Sequence, residues 1–289
     1  MPVEITIFII VLCILLMIFL VSALYDGSRF VIKEYTVESK KIFKNKKIVL
    51  LSDLHNKQYG KENSSLLQAI ERIAPDMILI AGDMLTANEE RTTYEVPVKL
   101  IRSLAQKYPI YYANGNHEYR MKVYTQGYGD LYEKYRQEIK GCGVCLLENE
   151  RVFLPDANIE ICGLEIERYY YKRLYQRPMP NDYLDHLLGQ ARDDCFEILI
   201  AHNPDYFKEY AGWGADLTLA GHVHGGVMRL PFIGGLISPM MRPFPKYDGG
   251  LFEEYGKKMI LGRGLGMHTI PIRIFNPGEL VVIYLNAER

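Results

Sequence analysis

Two hydrophobic patterns divide the chain. Residues 5–24 form a run without a single charge, in which only Thr6 and Ser22 are polar. Twenty helical residues reach about 30 Å, the thickness of a bilayer's hydrocarbon core, so the run predicts a membrane-spanning helix. A cleaved signal peptide is the competing reading, with Val21-Ser22-Ala23 a loose cleavage motif. Its apolar stretch normally covers only about 7–15 residues and follows a basic residue, and neither holds here. A buried helix of a soluble domain is the third reading, although such helices rarely stay apolar on every face.

Beyond residue 46 the apolar positions gather into short, β-branched bursts. Strands are expected over 47–52, 77–81, 110–113, 144–147, 152–154, 159–163, 196–201, 217–220, 259–261 and 280–285. Leu66, Leu67, Ile70 and Ile73 share one face of an amphipathic helix over 63–73, which Pro75 stops. A second helix is expected over 93–107 and a tyrosine-rich one over 122–140. Such alternation predicts largely parallel pairing with helices covering the sheet. Residues 25–46 read as a juxtamembrane linker with a short strand near 30–37. The division is an anchor (1–24), a linker (25–46) and one α/β domain (47–289).

Charge adds orientation. Only Glu4 precedes the apolar run, whereas Arg29, Lys33, Lys40, Lys41, Lys44, Lys46 and Lys47 follow it. The positive-inside rule then places the domain in the cytoplasm, on a single-pass membrane protein. A formal net charge of −1 shows no basic surplus, so no nucleic-acid partner is expected. The five cysteines have no disulfide-framework spacing. Cys142-Gly143-Val144-Cys145 lacks the second pair that a tetrahedral zinc site needs, and a structural role is expected.

Candidate chemistry sits where the bursts end. Asp53-Leu54-His55, Gly82-Asp83, Gly115-Asn116-His117-Glu118, Ala201-His202-Asn203 and Gly221-His222-Val223-His224 each close an apolar run, and they hold five of the seven histidines. Imidazole, carboxylate and carboxamide are the donors for Mn²⁺, Fe²⁺/Fe³⁺ and Zn²⁺. In open α/β sheets, loops beyond the strands' carboxyl ends converge on one crevice. Extended backbone would put Asp53 and His55 on one side, with Leu54 facing the core, and likewise pair His222 with His224. Asn116 adds a neutral oxygen. His186 and His268 lie outside the motifs and read as structural. Polar groups at five buried strand ends need partners or a purpose, and the set points to a two-metal hydrolase.

In this order the motifs resemble the calcineurin-like metallophosphoesterase superfamily, across about residues 47–286. The apolar N-terminus, Gly262-Arg263-Gly264-Leu265-Gly266 and Pro271-Ile272-Arg273 are most similar to its membrane-associated bacterial YkuE-like branch. That branch resembles, more distantly, UDP-2,3-diacylglucosamine pyrophosphatase. The resemblance implies a four-layer αββα sandwich of two mixed sheets. It also implies two divalent metal ions: Asp53, His55 and His224 on one, Asn116, His202 and His222 on the other, with Asp83 bridging. His117 stands outside that ligand set and acts on the substrate.

Two metal ions can activate water and clamp phosphoryl oxygens. His117 is the expected acid at the departing oxygen, with Glu118 orienting its ring. Arg168-Tyr169-Tyr170-Tyr171-Lys172-Arg173, continuing to Arg177, is a candidate cluster for gripping a phosphate and stacking a base or sugar, with a solvated loop whose tyrosines pack on the domain as the alternative. Residues 230–247 read as an apolar loop facing lipid or simply covering the core, and Arg263 and Arg273 as further phosphate contacts. The leading expectation is a membrane-anchored phosphodiesterase or pyrophosphatase acting on a lipid-linked or envelope-related phosphate. A phosphatase or nucleotide phosphodiesterase for soluble substrates is the alternative. A non-catalytic scaffold fits poorly, because every ligand position is retained.

Overall fold

A computed structural model describes residues 2–226, 228–230, 233–238, 241–267 and 272–288. The chain begins with α1 (Val3–Ser28), β1 (Phe30–Ser39), β2 (Lys46–Leu51), α2 (Ser64–Ile73), β3 (Met77–Ala81), α3 (Glu95–Ala105) and β4 (Ile110–Ala113). It continues through α4 (Asn116–Val123), α5 (Thr125–Tyr128), α6 (Leu131–Gly141), β5 (Cys145–Leu146), β6 (Glu150–Leu154), β7 (Ile159–Leu164) and α7 (Tyr183–Leu188). Last come β8 (Phe196–Ala201), α8 (Phe207–Trp213), β9 (Leu217–Ala220), the small pair β10 (Arg229–Leu230) and β11 (Gly234–Gly235), β12 (Gly250–Glu254), β13 (Lys257–Leu261) and β14 (Gly278–Ala287).

Two six-stranded sheets organise these elements, in the orders β1-β14-β2-β3-β4-β5 and β12-β13-β9-β8-β7-β6. Both are mixed. In the first, β2 to β5 are parallel and β14 runs antiparallel to β2. In the second, β7, β8, β9 and β13 are parallel, with β6 and β12 antiparallel at the edges.

The period-two alternation of the strands assigns the layers. Ile48, Leu50, Met77, Leu79, Val281 and Ile283 point inward, meeting Ile159, Ile161, Ile198 and Ile200 of the opposite sheet. Val49, Leu51, Ile78, Ile80 and Val282 point outward, onto Leu66 and Ile70 of α2, Ile101 and Leu104 of α3, and Tyr135 and Ile139 of α6. On the far side Cys162 and Leu199 pack under Leu184 of α7 and Tyr210 of α8. Each fully buried Ile, Leu or Val contributes about 1.5–3 kcal/mol. The expected four-layer αββα sandwich is the result.

Three local features differ from the sequence reading. The stretch expected as a linker carries a ten-residue edge strand, β1, paired in parallel along the whole of β14 from Phe30 opposite Gly278 to Ser39 opposite Ala287. The single tyrosine-rich helix is three pieces, broken at Gly129, whose φ of 58° and ψ of −130° end α5. Residues 116–123 are helical from Asn116 onward, so His117 and Glu118 lie in the first turn of a helix rather than a loop.

α1 leaves most of its apolar side chains exposed, Phe8, Leu16 and Leu20 among them, so it is not the core helix of a soluble domain. By length and composition it suits either a membrane span or a signal sequence. Its last two turns, however, are fastened to the domain. Ser22 Oγ accepts from Phe275 N–H at 2.9 Å, and Asp26 Oδ2 accepts from Asn276 N–H at 3.0 Å. Lys57 Nζ donates to the Gly27 carbonyl at 2.6 Å, and Phe19 meets Phe275 edge-on.

Candidate metal centre

β2, β3 and β4 of one sheet and β8 and β9 of the other end at the same rim, and the five motifs follow directly. Their loops lace together through the backbone. Asp53 N–H donates to Gly82 O at 3.0 Å, His55 N–H to Asp83 O at 3.1 Å, and Gly221 N–H to His202 O at 3.1 Å. Across the sheets, Asp53 Oδ1 accepts from His222 N–H at 2.9 Å; within the first sheet, Asp83 Oδ1 accepts from His117 N–H at 2.8 Å. Such close approach depends on two glycines. A Cβ on Gly115 would lie 2.3 Å from Asp83 Oδ1, and one on Gly221 would lie 2.3 Å from Asp53 Oδ2.

The backbone at the site is not extended. Asp53 (φ 51°), His55 (φ 47°), Asp83 (φ 53°), His222 (φ 72°) and His224 (φ 54°) all occupy the left-handed region. Strand alternation, expected for Asp53/His55 and His222/His224, therefore does not place these pairs. Each pair shares a side because the chain coils left-handed at those positions. Leu54 does enter the core. A non-glycine residue with positive φ costs about 1–3 kcal/mol, and such strain concentrates at functional sites.

Three triads of ligand atoms result, each within 4.8 Å: Asp53–His55–His224, His55–Asp83–His117 and Asp83–His202–His222. His55 is shared by the first two and Asp83 by the last two. Its Oδ2 is 3.0 Å from His202 Nε2, 3.8 Å from His55 Nε2 and 3.9 Å from His117 Nε2. Asp53 Oδ1 is 3.3 Å from His224 Nε2, and the Nε2 atoms of His55 and His224 are 3.2 Å apart. His202 Nδ1 contacts the Ala81 carbonyl, which fixes hydrogen on Nδ1 and turns the Nε2 lone pair into the cluster.

The protein's own charges show what the cluster requires. Burial pushes Asp53 up to about 6 against the pull of His202. Asp83, although buried, is held well below the usual carboxylate range by His202, His117 and His55. Burial opposes a charge on His202, yet the Asp83 and Asp53 carboxylates raise its pKa to about 10. The rise reflects the negative charge that the two carboxylates gather at the rim, which a bound cation would neutralise. Asp53 Oδ2 and Asn116 Oδ1 are buried without a hydrogen-bond partner among the described residues. Carboxylate, imidazole and carboxamide donors suit divalent metal ions, and the residues fit them.

Glu118 is fully buried and does more for the loops than for His117. Its carboxylate accepts from the N–H groups of Asp83 (2.9 Å), Met84 (2.8 Å) and Gly115 (3.0 Å), and from Tyr112 OH (2.7 Å). Reaching back to Gly115 is the carboxylate half of a capping box on α4. Burial and then the Asp83 charge raise it to about 7, while the four donors favour its ionised form. The expected orienting partner of His117 is instead the Ala87 N–H, which donates to Nδ1 at 2.8 Å.

Arg168 lies outside the triads, over the Tyr124 ring at 4.8 Å. Arg273 is corrected from phosphate contact to buttress. It is buried and gives its N–H groups to the carbonyls of Arg263, Gly264, Gly266 and Asn276. Those carbonyls belong to the turn that packs on Asp53, where Leu265 N–H reaches Ser52 O at 3.1 Å. Arg263 stands 3.4 Å from Glu279 and packs behind Gly225. Sequence reasoning missed Asn276, whose Nδ2 donates to the carbonyls of His224 (2.7 Å) and Gly226 (2.9 Å). A lone asparagine between Phe275 and Pro277 carries no signal of that role. His186 is a solvated helix residue beside Asp182, and His268 lies outside the described residues.

Strained ligand-type residues, converging at one rim of a four-layer sandwich, define a metal-dependent phosphoesterase. The chain belongs to the calcineurin-like phosphoesterase family, whose profile matches residues 46–226. It is similar to the metallophosphoesterase YkuE of Bacillus subtilis strain 168, 28% identical over 261 residues, 88% of this chain and 85% of that protein. A metallophosphoesterase of Helicobacter pylori strain J99 is 27% identical over 267 residues, 90% of this chain and 65% of its own length. A solved 5'-nucleotidase precursor from Thermus thermophilus aligns with 15% identity and a TM-score of 0.41, covering 75% of this chain and 48% of that one. The chain thus spans just under two thirds of the Helicobacter protein and about half of the nucleotidase.

Proposed function

We propose that the protein is a membrane-anchored, binuclear phosphohydrolase that cleaves a phosphodiester or pyrophosphate bond of a lipid-linked or envelope-related substrate. The observation that carries the chemistry is the chaining of the three ligand triads through His55 and Asp83. Asp53, His55 and His224 would hold one divalent ion and Asn116, His202 and His222 the other, with Asp83 between them. When bound there, Mn²⁺, Fe²⁺/Fe³⁺ or Zn²⁺ would supply Lewis acidity for water activation and for charge on the phosphoryl oxygens. His117 stays off the metals and works on the substrate. Because its Nδ1 accepts from Ala87, hydrogen resides on Nε2, ready for the departing oxygen. Glu118 positions the Asp83 and Gly115 turns that carry this arrangement.

The apolar surface beside the site supports a lipid-linked substrate. Ile237, Met241, Phe244, Ile272 and Phe275 are exposed. Backbone hydrogen bonds run across this surface, from Arg229 N–H to Ile274 O, Leu236 N–H to Met228 O and Phe244 N–H to Leu236 O, and it adjoins Phe19 of α1 through Phe275. Part of the 230–247 stretch lies outside the described residues. In this reading α1 spans the membrane, the cationic flank from Arg29 to Lys47 keeps the domain cytoplasmic, and β1 joins the catalytic domain.

The deciding experiment is a turnover panel on full-length, metal-analysed protein in detergent or vesicles, covering monoesters, diesters and lipid pyrophosphates. Turnover of lipid-linked diesters or pyrophosphates with Mn²⁺, Fe²⁺ or Zn²⁺ is expected. Faster turnover of soluble monoesters would replace the substrate proposal, and no turnover of any phosphoester would end it.

A further inference from the structure

A second cavity opens beside the metal centre. It measures about 600 Å³ and is lined by Tyr124, Arg168, Tyr169, Tyr171, Lys172 and Arg173. Tyr171 is its shared wall, with a ring 5.1 Å from the His222 ring at 76° and 6.4 Å from that of His202. A substrate seated at the triads therefore has one residue's thickness between it and the cavity.

Three of the six lining residues are cations and none is acidic. Among the described residues, Arg168, Lys172 and Arg173 form no ion pair with a carboxylate. Neighbouring cations outside the cavity are matched: Arg120 with Glu89, Arg242 with Asp205, and Lys122 with Glu148 and Glu165. Glu167, the adjacent carboxylate in sequence, accepts from Tyr183 OH instead. The cavity's cations rest on aromatic faces. Arg168 lies over Tyr124 at 4.8 Å and Lys172 over Tyr169 at 5.6 Å, while Arg177 covers Tyr169 from 4.9 Å. Such contacts hold the cations in place without spending their charge.

We propose that this cavity is a specificity subsite for an anionic, ring-bearing part of the substrate beyond the scissile phosphorus. Arg168, Lys172 and Arg173 bind a second phosphate-type group, and the attached ring stacks on the outward faces of the cations that Tyr124 and Tyr169 back. The proposal builds on the phosphohydrolase reading by naming what the substrate carries at the end remote from the attacked bond. It assigns selection between substrates to this loop, and bond cleavage to the strand-end motifs.

Two probes separate the phosphate from the ring: a fluorescent nucleoside diphosphate, and inorganic pyrophosphate as its competitor. Binding is measured on full-length protein in detergent with metal chelated, so the readout does not depend on turnover. The subsite predicts that Arg168→Ala with Lys172→Ala weakens nucleoside diphosphate binding about tenfold, and that Tyr169→Ala weakens it several-fold without changing pyrophosphate competition. In parallel, hydrolysis of bis(p-nitrophenyl) phosphate by the parent enzyme reports on the metal centre by itself. Undiminished binding in the double variant, or an equal loss for both compounds' readouts in Tyr169→Ala, overturns the subsite. Failure of the parent enzyme to hydrolyse bis(p-nitrophenyl) phosphate would count against the phosphohydrolase reading and leave the binding comparison intact.

Discussion

Among the described residues there are two buried clusters of ligand-type side chains, and one of them has the character of a metal centre. Glu160, Cys162 and Glu197 bring their ligand atoms as close together as the strand-end triads do. They differ in where the counter-charge comes from. Arg151 bridges Glu160 and Glu197, at 2.9 Å from the latter, and Arg192 gives its backbone N–H to Glu197 at 2.6 Å. Burial pushes the Cys162 thiol up, keeping it protonated and a poor ligand. All three residues lie in regular strands, without positive φ. Around Asp53 and Asp83 no lysine or arginine forms an ion pair among the described residues, and the backbone is strained. Proximity of ligands does not identify a metal site. Missing protein cations together with left-handed backbone do.

The contrast is broken most severely at Asp83. Asp83→Asn should cost on the order of 10³-fold or more in kcat/KM, beyond the 10–100-fold typical of outer partners, and strip metal measured by elemental analysis. A metal-loaded, active Asp83→Asn enzyme would refute the bridging assignment. Next in size is His117→Ala, with kcat expected to fall about 10²–10³-fold while metal content stays at the parent level. Equal loss of both would move His117 into the ligand set. In the other cluster, Arg151→Met should destabilise the fold by about 3 kcal/mol in denaturant titration by stranding two buried carboxylates. Its kcat/KM should not change, and lost metal would show that the clusters are coupled.

The smallest effect is on stability against pH. Burial works against the Glu148 charge, but Lys122, Arg136 and Tyr132 outweigh it and hold the carboxyl at about 2. A carboxylate depressed in the folded state contributes stability above its unfolded value, lost as pH falls through the folded one. Glu148→Gln should therefore cost about 1 kcal/mol near neutrality, solvent screening included, with the difference shrinking below about pH 4.5 and gone near pH 2. A constant difference across that range would contradict the network.

What could be read in the sequence was whatever repeats or recurs. The apolar run at 77–81 marked a strand that ends where the structure ends it, because fully buried strands are continuously apolar, and the run at 196–201 did so despite Glu197. The ligand motifs were visible for the same reason: each interrupts such a run. The geometry of ligation was not, since positive φ at Asp53 or His222 is imposed by neighbouring loops, not by local propensity. β1 was read short, because half its residues face solvent and its partner β14 lies more than two hundred residues away. Arg273 and Asn276 work through backbone carbonyls, which have no sequence signature.

The fastening of α1 has a kinetic consequence. One residue, Arg29, separates the helix from β1, and Asn276 joins the turn holding Asp26 to the carbonyl of His224. No slack tether exists to let the catalytic rim wander. With α1 seated in a bilayer, the site sweeps a plane at constant height, and meeting a membrane-borne substrate becomes a search in two dimensions. Encounter frequency would then scale with surface density of substrate, so diluting the target among inert lipids should slow turnover even when its bulk concentration is unchanged.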